Sequence, residues 1–239
     1  MGETFERTLF EYAETIRPGE LVLVEYTSRE PVYLLFCEVL RYAKFAGIPL
    51  VIVDVLDGLH VIRTQLKLAG MDTSMIEDAT VVKIGGRITT GRVIARIQET
   101  TELPIMKRHF VKVLERIHRE TGGRPFIRIV VGATELLQQL ETDPMKCEEF
   151  FASIIRPIVG NPISRGLVFI NRKRVMKTGL KEAEELSTRV LRTRIEDGKL
   201  IIRVAKSIYF DEYSVEVEVD PHALREHLAS KGGENDGGN

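Results

Sequence analysis

Short, fully apolar runs alternate along the chain with amphipathic stretches, and this alternation predicts strands and helices in turn. Residues 4–16 have helical spacing, with Phe5, Leu9, Tyr12 and Ile16 on one stripe. "LVLV" (21–24) predicts a strand. A polar turn, "EYTSREPV" (25–32), leads into a helix that starts near Pro31, runs to about Phe45 and stops at Gly47. "IPLVIVDV" (48–55) is apolar on both faces, the pattern of a strand in a parallel sheet covered by helices on either side.

The same rhythm continues. "GLHVIRTQLKLAG" predicts a helix ending near Gly70, "ATVVKIGG" a strand, "LPIMKRHFVKVLERIHRE" a long amphipathic helix and "TGGRPFIRIVVG" a turn and strand. Two helical segments are expected over 133–156, followed by the strand "RGLVFINR". The end of the chain changes character. Asp197-Gly198 lies between two β-rich arms, a two-residue hairpin signal, and "YSVEVEVD" alternates as a half-exposed edge strand would. The expected fold is a three-layer α/β/α sandwich whose mainly parallel central sheet closes with a C-terminal antiparallel hairpin and meander. It occupies one domain, residues 1–229, with a glycine-rich polar tail over 230–239 expected to be disordered. No internal repeat is visible.

Composition narrows the function classes. With 44% hydrophobic residues the chain can bury a proper core, and a net charge of −1 argues against wholesale nucleic-acid binding. The N-terminus has acidic residues and no long apolar run, and no stretch approaches the length of a membrane span, so a cytoplasmic protein is expected. Cys37 and Cys147 fall inside predicted helices without metal-ligand spacing and read as buried thiols. Only four Gln and four Asn stand beside 29% charged residues, a bias expected of a thermophile.

Three segments carry a resemblance. "RPGELVLVEY" is similar to the strand that enters the phosphate-binding Walker A loop of RecA-like P-loop ATPases. "AKFAGIPLVIVDVLD" is similar to their second strand, and "LSTRVLRTRIEDGKLIIRVAKS" to the closing hairpin of the KaiC-like archaeal branch. Within that branch the chain most resembles a Thermococcales family of unknown function. The resemblance spans most of residues 17–219 and implies a RecA-like fold. The motifs that carry the chemistry do not follow. A Walker A loop wraps phosphates with glycine amides, reaches them with a lysine and holds magnesium with a hydroxyl. At the matching positions this chain has Glu25, Ser28 and Glu30 for glycines, Pro31 for the lysine and Val32 for the hydroxyl residue, with Tyr26, Thr27 and Arg29 between. Gly132 stands where an aspartate would order magnesium, with Glu135 three residues on. Asp57 falls near the catalytic glutamate position, with Asp54 in the same strand. Lys206 keeps the lysine of the family's K-x-R element, and Ile208 replaces its arginine.

Four motifs depart together, so no catalytic residue, cofactor or metal is expected, nor is ATP. The Walker-like turn reads as solvated, with an anion held by Arg29 at the helix N-terminus as the alternative. The candidate binding edge comprises Asp54, Asp57, Gly132, Glu135 and Lys206. One basic run, "NRKRVMKTGLK", offers Arg172, Lys173, Arg174 and Lys177 as an anion or nucleic-acid patch, although it lacks the aromatics of a stacking platform. The five histidines show no metal spacing; His222 and His227 are placed on the solvated face of a short C-terminal helix. The expected role is non-catalytic, through a protein partner or self-association. A divergent ATP-binding protein and a nucleic-acid-binding accessory protein are the alternatives.

Overall fold

The computed structural model describes residues 11–98, 102–213 and 215–230. The stripe residues Phe5 and Leu9 and residues 231–239 of the predicted tail lie outside them; residue 230 closes a helix. Nine strands form one sheet: β1 (Leu21–Tyr26), β2 (Leu50–Val55), β3 (Thr80–Ile84), β4 (Arg92–Ile97), β5 (Phe126–Val131), β6 (Ser164–Asn171), β7 (Arg189–Glu196), β8 (Lys199–Ser207) and β9 (Glu216–Val219). Their order across the sheet is β4-β3-β2-β5-β6-β1-β7-β8-β9. β1 to β7 pair in parallel, and β8 and β9 add antiparallel strands at one margin.

The helices are α1 (Val32–Phe45), α2 (Gly58–Leu68), α3 (Ser74–Glu77), α4 (Leu103–Glu120), α5 (Ala133–Leu140), α6 (Pro144–Phe150), α7 (Lys177–Leu186) and α8 (Pro221–Ser230). A π turn, Phe151–Ile155, follows α6 directly. No described helix is long and apolar enough to cross a membrane.

Alternation along the central strands divides the core between two faces. On one, Val22, Val24, Ile52, Val81, Ile129 and Phe169 pack with Leu34, Phe36 and Leu40 of α1 and Leu59, Ile62 and Leu66 of α2. On the other, Leu23, Ile170 and Val190 meet Leu137 of α5, Phe150 of α6 and Ala183 of α7. There too Val51, Val53, Val82 and Ile84 meet Val113 and Ile117 of α4. Both faces are therefore buried, and the strands read as continuous apolar runs for that reason.

The predicted hairpin turn is present: Asp197 (φ 49°) and Gly198 (φ 77°) join β7 to β8. "YSVEVEVD" yields β9 at the margin of the sheet. Cys37 and Cys147 are buried free thiols. Three elements had no counterpart in the sequence reading, the short helix α3 being one. "RVIARI" forms the opposite edge strand, β4. The basic run, expected as a loop, passes into α7 at Lys177.

Candidate functional site

In an open parallel sheet, ligands are expected outside the carboxyl ends of neighbouring strands whose connections leave to opposite faces. Two such places occur here. β1 sends its chain to the α1 face, and its neighbour β6 sends its chain to the α7 face. Likewise β2 leads to α2, and its neighbour β5 leads to α5 on the other side.

At the first place the turn after β1 closes on itself. The Glu30 carboxylate accepts from the Thr27 amide and, at 3.0 Å, from the Thr27 hydroxyl. An internal carboxylate thus takes the amide that an incoming anion would need. Val32 N–H donates to the Glu30 carbonyl at 2.8 Å, and Pro31 caps α1 without an N–H of its own. Across the crevice Asn171 Nδ2 donates to Ser28 Oγ at 3.0 Å, tying the β1 turn to the end of β6. Tyr26 sits beside Thr134, Glu135 and Arg174; burial raises its phenol pKa, and the Glu135 charge adds to this. Arg174 pairs with Glu135 at 2.7 Å.

Glu25 corrects the expectation of a solvated turn. It is fully buried and points away from the crevice, toward Arg192 of β7 at 2.7 Å, and Arg192 also pairs with Glu184 of α7. Burial raises its pKa, an effect that the Arg192 hydrogen bond opposes and the neighbouring Glu184 reinforces. Arg29 is exposed, and its backbone amide donates to Thr27 Oγ1 at 3.4 Å.

At the second place the expected acids meet a cation that sequence reasoning missed. Lys83 of β3, 1% exposed, donates to Asp54 Oδ2 at 2.7 Å and to Asp57 Oδ1 at 2.6 Å. Asp54 is itself fully buried, and its other oxygen accepts from the Leu59 amide at 2.9 Å. Asp57 also accepts from the amides of Arg87 and Ile88, both at 2.9 Å, and so fixes the loop after β3. One ammonium therefore occupies the point where two carboxylates converge. The only hint in the sequence is a lysine inside an otherwise apolar strand.

Burial alone would raise the Asp57 pKa. The Lys83 hydrogen bond, the two amides and the Lys83 charge outweigh it and hold the carboxyl below its usual range. A depressed folded-state pKa stabilises the fold above the unfolded value, about 3.9 for aspartate. That contribution is lost as pH falls through the folded value. The stability advantage of the wild type over Asp57→Asn, read from urea unfolding, is therefore expected to hold near neutrality. It should shrink progressively below about pH 3.9; an advantage constant down to the acid limit would contradict this arrangement.

Gly132 has a steric reason for its identity. It caps α5 in the left-handed region (φ 76°), and a Cβ there would run into the Val55 carbonyl oxygen. A Cβ on Gly58 would stand 2.9 Å from the Gly132 amide nitrogen, so the ends of β2 and β5 meet glycine to glycine.

The remaining candidates are dispersed. Lys206 lies at the opposite, amino end of the parallel strands, where it pairs in register with Val190. Its ammonium donates to the Glu184 and Glu185 carbonyls at 2.7 and 2.8 Å, capping the end of α7. Arg172 donates to the Thr193 carbonyl at 3.1 Å and Arg174 is held by Glu135, so of the basic run Lys173 and Lys177 project outward as exposed cations. His222 is exposed on α8; the side chain of His227 lies outside the described residues. No cluster of three potential metal ligands occurs among the described residues.

No curated protein matches the chain. Its fold is similar to the solved structure of the Pyrococcus horikoshii OT3 protein PH0250, with a TM-score of 0.73 and 26% identity over 87% of this chain and 96% of that one. The family model described as "Pyrococcus protein of unknown function, DUF257" matches residues 11–218, nearly all of the described fold, and the chain belongs to that family.

Proposed function

We propose that the chain is a non-catalytic relative of the RecA/KaiC-like domains that works by binding protein, either a partner or a second copy. The observation that carries the non-catalytic part is the Lys83 ammonium between Asp54 and Asp57, at the edge where such a domain would hold magnesium and phosphates. Glu30 on the Thr27 amide acts the same way toward the phosphates. Opening this edge to magnesium-ATP means breaking buried charge pairs, and removing one partner of such a pair costs several kcal/mol.

The protein-binding part is supported by the segment after β8, at the amino end of the sheet. Phe210 is 91% exposed, and Ile208 and Tyr213 are also exposed, with the Phe210 and Tyr213 rings 6.0 Å apart. Exposed aromatic residues grouped in this way are typical of association surfaces. The basic run favours nucleic acid less, because Arg172 and Arg174 are engaged within the chain.

Titration calorimetry with magnesium-ATP is expected to give no binding heat; micromolar affinity would overturn the non-catalytic reading. Sedimentation and pull-down from cell extract test the rest. Wild type should self-associate or capture a partner, and Phe210→Asp should do neither while staying folded. A wild-type chain that remains monomeric and captures nothing refutes the protein-binding reading.

A further inference from the structure

The α4–α7 face of the sheet holds an arginine in an unusual setting, away from the carboxyl edge. Alternation along β5 places Phe126, Arg128 and Val130 on one face, so a guanidinium stands in a row that is otherwise apolar. Its register partner on β6 is Gly166, whose own partner on β1 is Leu21. A Cβ at Gly166 would stand 2.9 Å from Arg128 Nη2 and 2.9 Å from Leu21 Cδ1. The guanidinium therefore lies across the β6 backbone, in space that only glycine leaves open.

Arg128 borders a cavity of about 100 Å³ whose walls include Leu23, Leu137, Phe150, Phe151, Ile155 and Ala183. The π turn Phe151–Ile155 forms part of this wall, and such turns recur at functional sites. Among the described residues no carboxylate, carbonyl or hydroxyl accepts a hydrogen bond from the Arg128 side chain. Burial pulls its pKa down to about 10, which leaves it charged at neutral pH. The side chain keeps some solvent contact, so the site is reachable.

Arg189 shows what this fold does with a buried guanidinium that serves structure. It is fully buried, pairs with Glu20 at 2.9 Å and Glu212 at 3.0 Å, donates to Thr15 Oγ1 at 2.6 Å and stacks near Tyr12 and Tyr209. Arg128 has none of this. Polar groups inside proteins are almost always paired, and an uncompensated charge beside apolar walls is costly. Arg128 instead keeps solvent contact and no protein partner among the described residues, which leaves its fork free for an anion from solution.

We propose that this cavity binds a small carboxylate with a compact apolar body, of the size of isovalerate, its carboxylate held by the Arg128 fork and its alkyl group in the cavity. The planar guanidinium matches a carboxylate with two parallel hydrogen bonds. Size sets the class, since a cavity of roughly 150 Å³ holds a single benzene ring. Neither a nucleotide nor a long acyl chain fits.

Sodium isovalerate is the probe, read by thermal shift and titration calorimetry on the full chain. Isovaleramide serves as the neutral isostere, and nitrate as an anion without an apolar body. Isovalerate is expected to raise the melting temperature saturably. Isovaleramide and nitrate should bind more weakly by roughly tenfold or more, as loss of the charge-assisted pair or of the apolar contact requires. Arg128→Met should lose the isovalerate response and melt no lower than wild type without ligand. Arg128→Lys, which keeps charge but not the fork, should bind weakly. The proposal is overturned if isovaleramide binds as well as isovalerate, if Arg128→Met binds isovalerate undiminished, or if wild type gives no saturable response to isovalerate. Should Arg128→Met fail to fold, the isovalerate–isovaleramide comparison on wild type decides alone. None of these readouts depends on whether the carboxyl edge binds ATP or the chain binds protein.

Discussion

Replacing Lys83 by methionine is expected to destabilise the protein by about 3–5 kcal/mol, the range for breaking a buried ion pair by removing one partner. That is a large share of the total stability of an ordinary domain. Asp54 is fully buried and would keep only the Leu59 amide at 2.9 Å. Asp57 would lose its cation and keep only the Arg87 and Ile88 amides of the loop after β3. The double substitution Lys83→Met, Asp54→Leu should recover much of the loss, because apolar groups of similar volume replace a buried pair at little net cost. Urea midpoints for the four members of this cycle measure the coupling. If Lys83→Met unfolds at the same urea concentration as wild type, the ammonium is not what holds the two carboxylates together.

The second large effect is expected at Gly132. Gly132→Asp would supply the acid that the proposed RecA-like relationship puts at this position, yet it should cost about 3 kcal/mol or more, since both a left-handed backbone and a steric collision oppose it. The corresponding fall in melting temperature is roughly 10 °C for a chain of this size. Gly132→Ala should lose nearly as much, because the clash with the Val55 carbonyl begins at Cβ and owes nothing to charge. Neither variant should acquire magnesium-ATP binding. A stable Gly132→Asp protein that binds magnesium-ATP would contradict this account of the edge.

Both positions show where sequence reasoning stops. β1, β2, β5 and β6 were legible because a strand covered on both faces is mostly apolar along its length, and Asp197-Gly198 announced its own turn. β4 was not legible: as an edge strand it carries Arg92 and Arg96 among its apolar residues, so neither an apolar run nor a clean alternation results. The basic run hid the start of α7 in the same way. At the carboxyl edge the acids Asp54 and Asp57 were found from their place at a strand end, but not their cation. Lys83 reaches them through the β2–β3 pairing, and Arg192 reaches Glu25 through the β1–β7 pairing. Such partners belong to the topology, and no local pattern announces them. Lys206 shows the converse: its match to a family element suggested the carboxyl edge, whereas the antiparallel run of β8 carries it to the other end.

The order of the sheet also governs how the chain must be made. β1 is made before the other eight described strands, yet its two neighbours, β6 and β7, lie more than 135 residues further along the chain. Until they are synthesised, β1 has two open, apolar edges, while β2 and β3 can already pair with each other. Closing such long-range parallel contacts is slow, and exposed strand edges are the usual route to aggregation. The sheet is therefore expected to assemble from the β4-β3-β2 margin first and to seat β1 late, and any truncation that removes β7 leaves β1 with an edge it cannot cover.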